Sequence, residues 1–147
     1  MHLNSNNIYQ IDNIAVTELC SKYELPLYVY NGDAMITQLQ KLKNAFSIEH
    51  LKVNYACKAL TNINILKLFQ KGGTGLDTVS IQEVWTGLRA GFSPHDIIYT
   101  PNCVSMDEIK MAVNEGVKIN IDNLSILEQF GHEFPHIPVC LRVNPHI

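Results

Sequence analysis

The stretch Val53-Asn54-Tyr55-Ala56-Cys57-Lys58-Ala59 begins with residues typical of a β-strand and ends in a lysine where that strand should end. Because side chains alternate along a strand, its odd-numbered residues form an apolar face, and its even-numbered residues form a small, polar face that ends in Lys58. An amine that the fold desolvates is a candidate Schiff-base nucleophile. The alternative interpretation is a lysine that simply reaches solvent, as most lysines do.

Candidate strands recur at a nearly constant interval from this stretch onward. They lie near residues 51–57, 75–80, 96–101, 117–122 and 138–143. Their starts are 24, 21, 21 and 21 residues apart, and helical patterns fill the intervals. Ser80 with Glu83, and Ser105 with Glu108, match the capping box that begins a helix. This alternation predicts parallel strands joined by helical crossovers.

Two architectures share this alternation: an open, doubly wound sheet and a closed (β/α)8 barrel. An open parallel sheet is covered on both faces, so its strands tend to be apolar throughout. Here polar residues recur near the predicted carboxyl ends of the strands: Lys58, Asp77, Thr100, Asn102, Asn120, Asp122, Arg142 and Asn144. Because the active sites of barrels lie at that end, the pattern favours an α/β fold of the barrel class with a site at its mouth.

Five strands are too few to close an eight-stranded barrel, which takes about 250 residues. The fifth strand would also leave an unpaired edge. The sequence is therefore expected to be the amino-terminal part of a longer protein, a partial (β/α)8 barrel with about five of its eight strands. By itself, such a part is expected to be marginally stable or prone to aggregation.

The region before the first candidate barrel strand is less regular. Residues 1–26 are polar and predict little more than a short helix over 14–22. The β-forming residues Leu27-Tyr28-Val29-Tyr30 predict a brief strand. Apolar residues at helical spacing then predict a helix over 34–46.

Composition and charge argue against several classes of function. The 147 residues carry a net charge of −3 with no basic run, so no nucleic-acid partner is expected. No apolar run approaches the roughly 20 residues that span a bilayer, and residues 1–10 lack the features of a signal peptide. The four cysteines are widely spaced and form no CxxC pair, which suits reduced thiols. We therefore expect a cytoplasmic protein with no membrane partner.

Two patterns imitate binding motifs. Gly72-Gly73-Thr74-Gly75 resembles part of a nucleotide loop, but it precedes a strand, whereas the dinucleotide fingerprint follows one. We interpret it as the end of a helix and a turn. His132, His136 and Cys140 recur at intervals of four, as metal ligands can, but prolines interrupt any helix that would align them. No metal site is expected.

Asp77 and Arg142 lie on the polar side of predicted strands, as Lys58 does. Charged groups inside a protein need partners. An amine, a carboxylate and a guanidinium around one barrel mouth would suit a bound anionic cofactor, or they would pair with one another. Spacing leaves both alternatives open.

Several motifs, in the same order along the chain, resemble those of the fold-type III pyridoxal-phosphate-dependent decarboxylases. Tyr55-Ala56-Cys57-Lys58-Ala59 closely resembles the tyrosine-alanine-x-lysine-alanine motif of that family. Residues 75–80 are similar to its second-strand motif, and Leu141-Arg142-Val143-Asn144-Pro145 is similar to its fifth. Further likenesses lie at residues 27–30, 102–105 and 119–123.

The resemblance implies an alanine-racemase-like (β/α)8 barrel, of which residues 31–147 form the first part, and a β-domain to which residues 1–30 contribute. It implies that Lys58 is the catalytic residue and carries pyridoxal 5′-phosphate, while Asp77 and Arg142 line the cofactor pocket. It also implies a small amino-acid substrate and, for the full-length protein, a homodimer.

Within the family, the likeness is strongest to the branch that decarboxylates meso-2,6-diaminoheptanedioate to L-lysine. Decarboxylases of ornithine, arginine or carboxynorspermidine, and a non-catalytic barrel that binds pyridoxal phosphate, are the alternatives. Pro101 stands where many relatives have glycine. The phosphate-binding glycine loop and the later motifs of the family are not found in this sequence. This polypeptide by itself is therefore expected to be inactive.

Overall fold

The computed structural model of the protein describes residues 2–145, and contacts divide the chain into two compact units. One unit ends at Leu42 and the other begins at Lys43. The elements that begin in the first unit are β1 (His2–Leu3), β2 (Tyr9–Ile11), β3 (Ile14–Ala15), α1 (Val16–Lys22) and α2 (Gly32–Asn44). The three strands form an antiparallel sheet in the order β1-β2-β3.

The amino-terminal region departs from the sequence prediction at two places. The segment before α1, predicted to be irregular, contains the three strands of this sheet. Leu27-Tyr28-Val29-Tyr30, predicted to be a strand, has no regular secondary structure, and Tyr28 is 84% exposed. That prediction was wrong because β-propensity supplies no pairing partner, and no strand within residues 2–145 pairs with this segment. The two predicted helices are confirmed as α1 and α2.

The second unit alternates strands with helices. The strands are β4 (Asn54–Ala56), β5 (Gly75–Thr78), β6 (Ile97–Tyr99), β7 (Lys118–Ile121) and β8 (Val139–Leu141). The helices are α3 (Ile63–Lys71), α4 (Ile81–Ala90), α5 (Met106–Asn114) and α6 (Leu124–Glu133), with 3-10 turns at Cys57–Ala59 and Pro94–Asp96. Every predicted barrel strand is present at its expected place, shortened to 3 or 4 residues.

The strand order decides between the two architectures that the sequence leaves open. All neighbouring strands of this sheet are parallel, and their order is β4-β5-β6-β7-β8, the order of the chain. A doubly wound sheet reverses its order at a switch point, whereas a barrel adds each strand beside the previous one. The sheet is therefore a run of five consecutive strands of a (β/α)8 barrel, and the prediction of a partial barrel is confirmed.

One face of this sheet is buried beneath the helices. In the register of the central strands, Leu76 pairs with Ile97, and Tyr99 pairs with Ile119. All four residues are at most 2% exposed. They pack in one core with buried residues of the helices: Leu66, Val84, Ile109, Ala112 and Phe130. Since burial of apolar area is the main stabilising term in folding, this face organises the unit, and the opposite face is the barrel interior.

The helices of both units are short, with 7 to 13 residues each. Within residues 2–145, no helix is long and apolar enough to cross a membrane.

Hydroxyl side chains begin two of the helices, as the capping boxes predict. Ser80 Oγ accepts a hydrogen bond from the Glu83 N–H (3.3 Å), and the Glu83 carboxylate accepts one from the Val79 N–H (2.8 Å). Ser105 Oγ accepts a hydrogen bond from the Glu108 N–H (3.3 Å). Because each cap satisfies an otherwise unpaired amide, these interactions fix where α4 and α5 begin after their strands.

Candidate active site

The candidate site lies at the edge of the parallel sheet where the carboxyl ends of the strands meet. Ala56 pairs with Asp77, and Lys58 lies two residues beyond that pair, in the 3-10 turn Cys57–Ala59 rather than in the strand itself. The Lys58 side chain is exposed. Among residues 2–145, Lys58 is therefore not a buried amine: its side chain reaches solvent, as in the alternative interpretation.

Aromatic packing beside the turn that carries Lys58 holds this turn in place. The ring of Tyr55 stacks on that of Phe69, with 4.1 Å between centroids and 17° between planes. The Tyr55 hydroxyl donates a hydrogen bond to the carbonyl oxygen of Leu60 (3.4 Å), and the Leu60 N–H donates to the carbonyl oxygen of Cys57 (3.1 Å). These contacts fix the chain on both sides of Lys58, so its backbone position is defined while its side chain stays accessible.

Cys57 precedes the lysine and is fully buried. Burial, together with the smaller effect of the nearby carboxylates of Glu83 and Asp77, raises the pKa of its thiol to about 12. A thiol with such a pKa stays protonated at neutral pH. Cys57 therefore acts as a small apolar side chain beneath the turn, and not as a second nucleophile beside Lys58.

Three polar side chains on consecutive strand ends form a hydrogen-bonded chain at this edge. Thr100 Oγ1 donates to Asp77 Oδ1 (2.8 Å), and Asn120 Nδ2 donates to Thr100 Oγ1 (3.0 Å). Asp77 and Asn120 are half-buried, as is Thr100. The prediction that polar residues of successive strands meet at this edge is confirmed for these three. Asn102 and Asp122 are exposed and take no part in the chain.

Arg142 lies at the same edge, directly after β8. Its backbone N–H donates to the carbonyl oxygen of Ile121 (2.9 Å), which continues the parallel ladder by one residue, and its side chain is exposed. Within residues 2–145, Asp77 forms an ion pair with neither Lys58 nor Arg142. The alternative that these three charges simply pair with one another is thus wrong, because Asp77 bonds to the neighbouring strand instead.

Glu108 has a role that the capping-box pattern does not reveal. Its carboxylate oxygen Oε1 accepts a hydrogen bond from the Tyr99 hydroxyl (2.8 Å) and a longer one from the Ile81 N–H (3.4 Å). Burial raises the pKa of Tyr99, and the hydrogen bond and negative charge of Glu108 raise it further. Glu108 therefore joins the starts of α4 and α5 to β6, next to the segment that carries Thr100. Sequence reasoning missed this because the partner lies nine residues away in a different element.

The two patterns set aside in the sequence lie elsewhere. Gly72 caps the end of α3, Gly73 has a φ of +71°, and Gly75 begins β5 at the edge opposite to Lys58. The glycine run is thus confirmed as a helix end and a turn. His132 belongs to α6 and Cys140 to β8. No group of three histidine, cysteine or acidic side chains in residues 2–145 is placed to hold a metal ion.

Comparison with known protein families gives one match that covers most of the chain. The family described as "Pyridoxal-dependent decarboxylase, pyridoxal binding domain" matches residues 33–147.

Individual relatives agree with this match. A diaminopimelate decarboxylase from Methanothermobacter thermautotrophicus is 36% identical over 99% of this chain, and one from Bacillus subtilis is 32% identical over 98%. The crystal structure of diaminopimelate decarboxylase from Helicobacter pylori complexed with L-lysine superposes on 89% of the chain with a TM-score of 0.80 and 29% identity. The chain spans about a third of the length of each: 35%, 34% and 34%, respectively.

Proposed function

Because this chain belongs to the family of pyridoxal-dependent decarboxylases, we propose that Lys58 is the residue that carries pyridoxal 5′-phosphate. The protein is proposed to decarboxylate meso-2,6-diaminoheptanedioate to L-lysine, the last step of lysine biosynthesis. The observation that carries the proposal is the position of Lys58. It is a primary amine on a fixed turn at the carboxyl edge of a parallel barrel sheet, where the active sites of barrels lie.

The side chains at this edge fit such a cofactor in their chemistry. The exposed Lys58 amine is available to a carbonyl group, and it has no ion-pair partner among residues 2–145. The exposed guanidinium of Arg142 suits an anionic group. Asp77 supplies a carboxylate held by Thr100. We propose that Asp77 and Arg142 line the cofactor pocket.

Pyridoxal phosphate, when bound, supplies an electron sink for the electrons that a departing carboxylate leaves behind. The contribution of this chain is to place an amine at the mouth of the barrel and to orient polar groups around it. Lys58 would hold the cofactor through its amine, and the same amine would be able to hold and deliver a proton beside the bound substrate.

The choice of substrate rests on the relatives. The first two curated relatives, 36% and 30% identical, are named diaminopimelate decarboxylase, and the Helicobacter pylori structure holds L-lysine, the product of that reaction. Decarboxylation of ornithine, arginine or carboxynorspermidine, and cofactor binding without catalysis, are the alternatives that the experiment must separate. The same resemblance supports a cytoplasmic homodimer, with residues 1–30 contributing to a β-domain.

The proposal is tested on the protein expressed at full length from its own gene. Borohydride reduction followed by peptide mass spectrometry should find the pyridoxyl label on Lys58. Carbon dioxide release from meso-2,6-diaminoheptanedioate should exceed that from L-ornithine, L-arginine and carboxynorspermidine by at least about a hundredfold. The variant Lys58→Ala should lose both the label and the turnover, because no other amine lies on this turn.

A matched control is Lys67→Ala, since Lys67 is an exposed lysine of α3 and lies outside the candidate site. It should keep the label and the activity. Turnover that persists in Lys58→Ala, or a label on a different lysine, would overturn the role of Lys58. A label on Lys58 without turnover of any of the four substrates would favour the non-catalytic alternative.

A further inference from the structure

The hydrogen-bonded chain of Asp77, Thr100 and Asn120 crosses three strands and has a defined direction. An ionised carboxylate only accepts hydrogen bonds, so Thr100 must donate its single hydroxyl proton to Asp77. The atom of Asn120 at 3.0 Å from Thr100 Oγ1 is then the amide nitrogen, which donates to a lone pair of that oxygen. Because Asn120 donates to the oxygen of the threonine hydroxyl, the hydroxyl proton of Thr100 is directed toward the carboxylate of Asp77.

The backbone holds Thr100 in place for this task. Asp77 pairs with Ile98, and the ladder continues past the end of β6, because the Thr100 N–H donates to the carbonyl oxygen of Thr78 (2.7 Å). Thr100 therefore follows Ile98 by two residues on the face that Asp77 occupies. The alignment is a product of the register between β5 and β6, and it does not depend on a flexible loop.

Only one oxygen of the Asp77 carboxylate is used in this way. Oδ1 accepts from Thr100, whereas Oδ2 accepts no hydrogen bond from any group in residues 2–145. A carboxylate fixed through one oxygen keeps the other oxygen available to a ligand while its side-chain rotamer is restricted. Such preorganisation lowers the free-energy cost of binding, because the side chain is ordered before the ligand arrives.

We propose that Thr100 and Asn120 are positioning residues, which orient the Asp77 carboxylate toward the pyridoxal cofactor through this directed chain of hydrogen bonds. The inference rests on the proposed function, in that Asp77 must line the cofactor pocket. It goes further by assigning a role to two residues on the neighbouring strands.

The test measures the dissociation constant for pyridoxal 5′-phosphate of the full-length apoprotein, by quenching of protein fluorescence. Thr100→Val keeps the shape of the side chain and removes the hydroxyl, so it should raise this constant about tenfold, as expected for the loss of one hydrogen bond to a charged group. Thr100→Ser keeps the hydroxyl and should restore binding to within about threefold of the wild type. Asn120→Ala should weaken binding in the same direction, because the hydroxyl loses its orienting donor.

Thr78→Val is the matched control for a merely structural threonine. Thr78 is buried on the opposite face of β5, and its hydroxyl donates to the carbonyl oxygen of Ile98 (3.0 Å). Its loss should lower the thermal midpoint, and the affinity for the cofactor should not change. A double-mutant cycle supplies the second control: in an Asp77→Ala background, Thr100→Val should change the dissociation constant less than twofold.

The outcomes separate the two proposals. A wild-type protein that does not bind pyridoxal phosphate overturns the proposed function and this inference with it. Normal binding by the wild type, with Thr100→Val and Asn120→Ala both unchanged, overturns the inference alone. So does an equal weakening by Thr100→Val with and without Asp77, because the effect would then not pass through the carboxylate. If Thr100→Val does not fold, the same double-mutant cycle is measured with Asn120→Ala in its place. An equal weakening of cofactor binding by Asn120→Ala with and without Asp77 then overturns the inference.

Discussion

Cys57 illustrates how a single residue next to the candidate site serves the fold and not the chemistry. It directly follows β4 and precedes the exposed Lys58, yet it is fully buried, whereas the cysteines at 20, 103 and 140 are exposed. Alternation along the strand explains the difference between the neighbours, because Cys57 follows the face that packs under the helices. The two residues therefore have opposite environments, although both lie in the turn Cys57–Ala59.

The raised pKa of Cys57 leads to a pH dependence of stability. Its ordinary value is 9.0 and its value in the fold is about 12, so the folded state holds the proton more tightly than the unfolded state. This contribution is complete below about pH 9 and is lost as the pH rises from 9 to 12. Between pH 9 and 10, the free energy of unfolding should fall by about 1 kcal/mol through this group, because the unfolded thiol is still half protonated at pH 9.

Urea denaturation at several pH values measures this slope in the wild type and in Cys57→Ala. The variant should show a clearly smaller slope in that interval, whatever its stability at pH 7. Cys20→Ala is the control, since Cys20 is exposed, and it should keep the wild-type slope. Equal slopes in the wild type and Cys57→Ala would show that the thiol is not the titrating group.

At the scale of elements, the distance between helix and sheet depends on one glycine. Gly87 lies in the middle of α4 and is buried against β5 and β6. A Cβ built on it would lie 2.4 Å from Leu76 Cδ2 and 3.3 Å from Ile97 Cδ1. The helix thus approaches the buried face of the sheet more closely than any side chain at this position would allow.

Gly87→Ala should therefore destabilise the protein by about 1–3 kcal/mol, the usual range for overpacking a core. Alanine favours a helix over glycine, but that gain of up to about 1 kcal/mol is the smaller effect here. Gly131→Ala in α6 is the matched control, because a Cβ on Gly131 would meet nothing within 4 Å. That variant should be stabilised by about 0.4–1 kcal/mol.

Thermal and urea denaturation of the two variants distinguish packing from propensity. If both glycine substitutions stabilise the protein, the close approach of α4 to the sheet is not a constraint. If both destabilise it, the effect is not specific to the contact with Leu76 and Ile97.

At the scale of the whole chain, the two sheets differ in how much of them is buried. The strands β5, β6 and β7 carry Leu76, Ile97 and Ile119, which lie in one core. The strands β1, β2 and β3 contain no buried residue. Regions with few buried apolar contacts open at a lower free energy than the core, so the stability of the chain is not uniform.

Hydrogen exchange measured by mass spectrometry should reveal this difference. Peptides that cover β5 to β7 should exchange slowest, and peptides that cover β1 to β3 should reach full exchange first. The exchange times of the two groups should differ by at least about a hundredfold. The peptide with Leu27-Tyr28-Val29-Tyr30 should also exchange early, because this segment belongs to no sheet within residues 2–145. Strong protection there would contradict this assignment and mean that the segment is paired as a strand.

Much of the architecture was readable from local signals. The five barrel strands, the helix starts at Ser80 and Ser105, and the turn at residues 72–75 all follow from residues within a few positions of one another. Such features are set by side-chain alternation, by hydroxyl caps and by glycine, which act over one turn or one strand. The same spacing placed Asp77, Thr100 and Asn120 at one edge of the sheet.

What the sequence determined by itself is thus the order of elements, the polar edge and the family motif around Lys58. The tertiary structure alone decided the sheet order, the exposure of Lys58, and the partners of Asp77 and Glu108. Alternation predicts which face of the sheet a side chain occupies. It does not predict which group on the next strand lies within hydrogen-bonding distance, or how far the side chain is buried. The partner and the depth of a side chain depend on register and on packing between residues that are far apart in the chain. For that reason the Asp77 side chain accepts a hydrogen bond from Thr100 and forms no ion pair with Lys58 or Arg142 among residues 2–145.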